Sequence, residues 1–344
     1  MNPARRRVAQ VGVISAALVV PGWPDVVGRA QAAQRNAHTT IGQAEVDSVD
    51  AMMSRLRTIG QDVGGQQSRP MAGAFIVNTV APYLRASARE PIRKAMLSSA
   101  AMACYSTGWM AMDEGLQGLA QRYYVKGLEL AGAADDYMAY CHILRGISVQ
   151  AANLGHGAPA TRYANAAADV APSRGPYMRA FMAGQQAHGY AMAGSGRLAL
   201  DSLRETERAL DTATSGPGSV GGFSYSTLAY ATAQVRYEMG DTKGSVSSLQ
   251  DHFRLRRDTD SHRSSMIFGG LLAERQLEIG HLDAACFTWN RVLDEYPTMH
   301  SGRVDDRVRA IVKRLARHQA NAGARHTRDR ARSLLLRRNA LSAT

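Results

Sequence analysis

The sequence predicts an all-α protein, a superhelix of packed helical hairpins closed by a C-terminal capping helix, and three observations carry that prediction. The 344-residue chain is rich in alanine, leucine, methionine, arginine and glutamate, has only 6% aromatic residues, and lacks the β-branched runs of a buried sheet. Apolar residues recur at helical spacing, as in Val46, Val49, Met52, Met53 and Leu56. Glycines recur at nearly constant intervals between Gly115 and Gly280, the mark of a repeated supersecondary unit.

Taken in order, a first helix is expected from about Ala44 to Ile59, stopped by Gly60, Gly64 and Gly65. Pro70 suits an early position in the second helix, where its missing N–H would be unsatisfied anyway. Ser87, ahead of Pro91, suits the N-cap of the third. Beyond it the repeat takes over. Gly115, Gly155, Gly194, Gly240 and Gly280 are separated by 40, 39, 46 and 40 residues. Each is followed five residues later by a small residue: Ala120, Ala160, Ala199, Ser245 and Ala285. Four residues on stand Tyr124, Ala164, Leu203, Leu249 and Trp289. Two antiparallel helices need a tight turn, which glycine supplies by adopting positive φ, and a small side chain where their backbones approach. The larger residue one turn later fills the space between hairpins, which must stack because none can bury its apolar face alone. The stretch from Thr214 to Gly222 is a hairpin linker that accounts for the longest spacing.

These landmarks resemble the tetratricopeptide repeat, with its turn glycine, its A-x3-F step and its closing proline. Pro172 and Pro297 stand where the second helices of two copies should stop. The block from Ala103 to Ala131, with GWMAMDEG and LAQRYY, resembles a recurring block of actinobacterial XRE-type transcriptional regulators. Val80-Ala81-Pro82-Tyr83-Leu84 and Ser301-Gly302-Arg303-Val304-Asp305-Asp306-Arg307 extend the similarity over about residues 40–320. In that family a helix-turn-helix DNA-binding domain precedes a tetratricopeptide-like sensor domain. The resemblance implies a sensor domain without the DNA-binding domain, since too few residues precede the repeats to form one.

The net charge of +12 is confined to the ends. Arg5, Arg6 and Arg7 supply part, the segment from Arg303 to Arg338 supplies the rest, and the body between them is neutral. The chain is thus expected to hold a leader over 1–40, the helical repeats over 41–322, and a basic tail over 323–344. The leader pairs its arginines with an apolar run from Val11 to Val20 and with Ala30-Gln31-Ala32, the outline of a twin-arginine export signal. That run falls short of the roughly 20 apolar residues a membrane span needs, and Pro21, Pro24, Asp25 and Arg29 interrupt the stretch between it and the alanines. A cytoplasmic location is expected, with export as the alternative. Cys104, Cys141 and Cys286 are odd in number and widely spaced, which fits buried thiols in a reducing compartment.

No catalytic motif is found: neither HExxH, GxSxG, GxxxxGK[ST] nor paired CxxC. Gly216-Pro217-Gly218-Ser219-Val220-Gly221 formally fits GxGxxG, but no strand precedes it and proline stands where a phosphate-binding amide should be. His252 and His262, flanking Arg254, Arg256, Arg257, Asp258 and Asp260, read as a solvated helix end. No enzyme activity, cofactor or metal is expected.

The expected function is binding. Counting back along first helices from the turn glycines places Tyr105, Trp109, Met112, His142, Arg145, Asn153, Phe181, His188, Tyr230, Gln234, Tyr237 and Glu274 on a concave groove. Aromatics beside an arginine, amides and imidazoles suit an extended peptide or a partner protein, whose backbone and carboxylates need hydrogen-bonding groups next to apolar pockets. The residues would serve a regulatory protein acting in transcriptional or developmental control. The alternative is a DNA-associated regulator using a helix-turn-helix partner or the tail, whose Arg325, Arg328, Arg330, Arg332, Arg337 and Arg338 could meet phosphates non-specifically. A homodimer stays open.

Overall fold

A computed structural model describes residues 40–170, 175–212, 223–257 and 260–343. The leader, Pro172, Asp258 and the Thr214–Gly222 linker with its GxGxxG lie outside them. Among the described residues every regular element is helical, and the one extended pairing is a bridge between Thr40 and Ser87. The chain divides into two compact units, residues 1–146 and 147–344.

The first unit opens with α1 (Gln43–Asp62) and α2 (Gly65–Phe75). α2 runs on through a π-helical stretch, Ile76–Val80, and a last turn, Ala81–Tyr83. Three expectations need correcting. Gly60 does not stop α1 but lies inside it, buried, where a Cβ would stand 2.7 Å from the Ser68 hydroxyl; the break falls at Gly64, whose φ is 102°. Pro70 lies inside α2, not at its first turn. Ser87 is not a cap: its carbonyl accepts the Ile41 N–H at 3.0 Å, and Arg89 precedes α3 (Glu90–Asp113) with Pro91 in the opening turn. α4 (Gln117–Ala134) and the first part of α5 (Tyr137–Asn153) complete the unit. Val46, Val49, Met53, Leu56, Phe75, Tyr83 and Met96 form its core.

The second unit takes up α5 at Ile147 and continues with α6 (Gly157–Val170), α7 (Gly175–Met192), α8 (Gly196–Thr212), α9 (Tyr225–Glu238) and α10 (Thr242–Leu255). It ends with α11 (His262–Glu278), α12 (Leu282–Glu295), α13 (Gly302–Arg314) and α14 (Ala322–Ala343).

One turn is built five times. Gly115, Gly155, Gly194, Gly240 and Gly280 all have φ between 74° and 85°, the region glycine enters without penalty. Each glycine N–H bonds the carbonyl three residues back, and the next residue's N–H bonds the carbonyl five back, as in Gly240 to Tyr237 at 2.9 Å and Asp241 to Arg236 at 2.8 Å. This is a Schellman motif, which satisfies the last carbonyls of the first helix. The residue after the glycine then opens the second helix, accepting the N–H of the small residue, for instance Ser245 to Asp241 at 2.9 Å. All five small residues are fully buried. Of the residues one turn further on, Tyr124, Ala164, Leu249 and Trp289 are buried as well, while Leu203 is half-buried. The protein is therefore an all-α assembly of tetratricopeptide-like hairpins. Within the second unit each hairpin packs on the next, Ala187 and Ala199 against Val235, and Ala233 and Leu249 against Leu272.

The arginine-rich C-terminal residues, expected as a separate tail, form α14. Its Ala324, Thr327 and Ala331 are buried, and Leu334 and Leu335 pack on the core built around Trp289, Val308 and Ile311. The expected C-terminal capping helix is α13, whose Val304, Val308 and Ile311 are fully buried.

Candidate binding surfaces

In the first unit, α3 and α5 bring together Tyr105, Trp109, His142 and Arg145. The Tyr105 ring is buried, 6.3 Å from those of Trp109 and Tyr124 and 6.2 Å from that of His142. The backbones approach closely because Gly146 has no side chain: a Cβ there would stand 3.0 Å from the Tyr105 ring and 3.5 Å from Trp109 Nε1. His142 is buried and its Nδ1 donates to the Met138 carbonyl at 2.8 Å. Burial raises the Tyr105 hydroxyl above its ordinary pKa, with the Arg145 and Arg57 charges opposing. Trp109, Arg145 and Arg57 remain half-exposed and form an aromatic, cationic patch. Met112, by contrast, is buried in the core.

In the second unit the expected residues separate into two kinds. Phe181 is buried, edge-on to Phe223 at 6.4 Å, and Tyr230 stacks on Phe268 at 3.9 Å, so both are packing residues. Glu274 faces α13: it is buried and accepts hydrogen bonds from Arg307 at 3.0 and 3.1 Å and from Arg314 at 3.2 Å. Asn153 is exposed at its turn. Gln234, Tyr237 and His188 instead surround Arg275, a residue that counting back from the turn glycines does not select.

Arg275 is 4% exposed. Its Nη1 donates to the Ser245 hydroxyl at 2.7 Å and the Ala233 carbonyl at 3.3 Å, its Nη2 donates to Gln234 Oε1 at 2.6 Å, and its Cζ lies 4.1 Å above the Tyr237 ring. All three acceptors are neutral, and among the described residues no carboxylate pairs with it. Burial lowers its pKa, and the neighbouring Tyr230 and Tyr237 hydroxyls and the Glu278 and Glu238 carboxylates oppose that shift. Beside it, His188 is pushed down to about 4, first by burial and then by the Arg275 charge, so the imidazole is neutral at ordinary pH. The available signal was an arginine inside the apolar run Gly269-Gly270-Leu271-Leu272-Ala273-Glu274-Arg275, one residue past Glu274.

The histidine cluster also reads differently in the structure. His252 is no solvated helix end; it is buried, its Nδ1 2.6 Å from the Ser226 carbonyl and its ring edge-on to Phe253 and Phe268. His262 meets Glu295 at 3.2 Å on the surface. Among the described residues no group of His, Cys, Asp and Glu could hold a metal, the three cysteines are buried thiols, and no helix is long and apolar enough to cross a membrane.

The arginines of α14 divide. Arg338 bonds Asp305 and the Tyr296 carbonyl, both at 2.6 Å, and Arg330 bonds Asp294 at 2.6 Å and Asn290 at 3.1 Å. Arg325 donates to the Gln319 carbonyl at 2.9 Å, and Arg328 is half-buried. Arg332 and Arg337 are exposed.

These surfaces and turns define a helical-hairpin protein with polar and aromatic first-helix faces. No family model and no curated protein matches the chain. Among solved structures it is similar to the crystal structure of the APC/C hetero-tetramer Cut9-Hcn1, at 14% identity over 83% of this chain and 52% of that one, with a TM-score of 0.45. It is also similar to the crystal structure of the P58(IPK) TPR domain, at 15% identity over 83% and 87% of the two chains, with a TM-score of 0.22. The chain thus spans about half the length of the first of these. The fold class rests on the chain's own turns and packing, not on these likenesses.

Proposed function

We propose that this protein is a non-catalytic regulatory scaffold whose first-helix faces bind an extended peptide or a peptide-like segment of a partner protein. The observation that carries the reading is Arg275, a buried guanidinium held by neutral oxygens beside a neutral imidazole. Desolvating a cation that no carboxylate touches costs several kcal/mol; the more distant Glu278 and Glu238 offset part of that, and a ligand carboxylate would offset more while its chain lies along Gln234 and Tyr237. In the first unit Trp109 and Arg145 offer the matching elements, an aromatic platform and a cation. The resemblance to sensor domains of actinobacterial regulators supports a role in transcriptional or developmental control.

The test begins with peptides selected from a random phage-displayed library on the full chain, their affinities measured by calorimetry. Trp109→Ala and Arg145→Ala should weaken binding without unfolding the protein, and Arg275→Gln should weaken acidic peptides more than neutral ones. Unchanged affinity in all three variants rejects the proposal.

A further inference from the structure

We propose that the cleft between α10 and α12 binds a neutral, apolar small molecule carrying a carbonyl-type oxygen. The cleft belongs wholly to the second unit, on a different surface from Arg275, and the inference stands whether or not the first-helix faces bind peptides. It encloses about 570 Å³, within the roughly 300–1,000 Å³ of small-molecule sites.

α11 is its floor and α12 one wall, and three cross-contacts set their alignment. The Thr288 hydroxyl donates to Gln276 Oε1 at 2.9 Å near the turn, Gly269 lies against Val292 midway, and His262 meets Glu295 at the far end. Gly269 keeps the middle of the floor low: even a Cβ there would come within 3.0 Å of Val292 and 3.9 Å of Phe253. Phe253, Met266, Leu272 and Val292 supply apolar lining. Phe287, on the α12 wall, is 69% exposed, a large aromatic surface left in water.

The polar content of the cleft selects the ligand. Gln276 is 6% exposed and lines the cleft. Thr288 holds its amide oxygen, which leaves Nε2 as a donor, and among the described residues that nitrogen donates to nothing. Water in the cleft can accept from that nitrogen, and an oxygen on a molecule lying against Phe287 would take the water's place. Asp283, Arg291 and Glu295 line the same cleft with both signs of charge, so no strong field favours an ion of either sign. The specified occupant therefore has an apolar body and one accepting oxygen.

Prodan, a neutral naphthyl ketone whose fluorescence reports the polarity around it, is a suitable probe, with the same dimethylaminonaphthalene lacking the acyl group as its partner. Titrated into the full chain, Prodan should saturate a single site. Phe287→Ala should raise its Kd about tenfold or more, the loss expected for an aromatic contact of this size. Gln276→Leu should raise the Prodan Kd about tenfold and leave that of the deacylated probe nearly unchanged. Leu336→Ala, an exposed apolar residue on α14, should change neither.

The proposal is overturned by any of three results: Prodan fails to saturate, Phe287→Ala leaves its affinity intact, or Leu336→Ala weakens it equally. It also falls if Phe287→Ala dissociates a dimer in sedimentation while Prodan binding persists, since the cleft is then an interface between copies. Should Gln276→Leu fail to fold by circular dichroism, the Phe287→Ala titrations decide alone, because that side chain is largely outside the core.

Discussion

Replacing Gly115 by alanine isolates the energetic cost of one repeat turn. The residue has φ of 83°, and an added Cβ would meet nothing within 4 Å, so no clash contributes. The remaining cost is the left-handed backbone itself, about 1–2 kcal/mol for an L-residue. Alanine also restricts the unfolded chain, which offsets about 0.4–1 kcal/mol of that. The net loss should be close to 1 kcal/mol, and asparagine, which tolerates this region better, should lose less. Gly108 is the internal control. It is helical, and its Cβ would stand 2.6 Å from the Tyr124 ring, so Gly108→Ala forces a rigid aromatic to move. Overpacking against so close and rigid a ring costs up to about 3 kcal/mol, of which the better helix propensity of alanine returns about 1 kcal/mol, leaving a net loss of about 2 kcal/mol. Urea unfolding followed by far-ultraviolet circular dichroism would rank wild type, Gly115→Asn, Gly115→Ala and Gly108→Ala in falling order. Equal stability of Gly115→Ala and wild type would refute the turn geometry on which the repeat reading depends.

The second unit is open to the same kind of test. Trp289 is fully buried, so Trp289→Ala should cost about 3–5 kcal/mol, whereas Trp289→Phe, which removes an indole N–H that has no hydrogen-bond partner among the described residues, should cost much less in the same assay. His188 has a folded pKa of about 4, below its unfolded value. Its contribution is therefore present above pH ~6.5 and is lost as pH falls toward 4, because only the unfolded state takes up the proton. Wild type minus His188→Gln should show that decline in stability, and parallel pH profiles would disprove it. Arg338→Ala strands Asp305, which is buried and otherwise accepts from the Tyr296 hydroxyl at 2.7 Å, and should cost roughly 3 kcal/mol of stability. For the same reason, deleting residues 323–344 would expose the Val308 and Ile311 core, so gel shifts for nucleic acid should use Arg332→Glu and Arg337→Glu.

The turns were legible because a positive φ is a local demand that glycine answers in the sequence, and because the small residue five positions later answers an equally local crowding. Helix faces were less so. Counting back from a glycine gives phase only to within a residue, and a first helix has one side toward its partner, one toward the next pair and one toward solvent. Glu274 and Arg275 show the consequence: adjacent residues, one paired with α13 and the other set among Gln234, Tyr237 and Ser245. α14 was hidden for a different reason. Its buried stripe is made of Ala324, Thr327 and Ala331, small side chains that carry little hydrophobic signal among six arginines. His252 looked solvated beside Arg254, Arg256 and Arg257, yet its ring points into an aromatic cluster supplied by residues up to 22 positions away, Tyr230 and Phe268.

Hydrogen–deuterium exchange of the full chain, with and without a library-selected peptide, tests the binding account most directly. Protection should concentrate on the first helices that carry the named residues, α3 and α5 around Trp109 and Arg145, or α9 and α11 around Gln234 and Arg275. Protection confined to the second helices α4, α6, α8, α10 and α12, or none at saturating peptide, would contradict it.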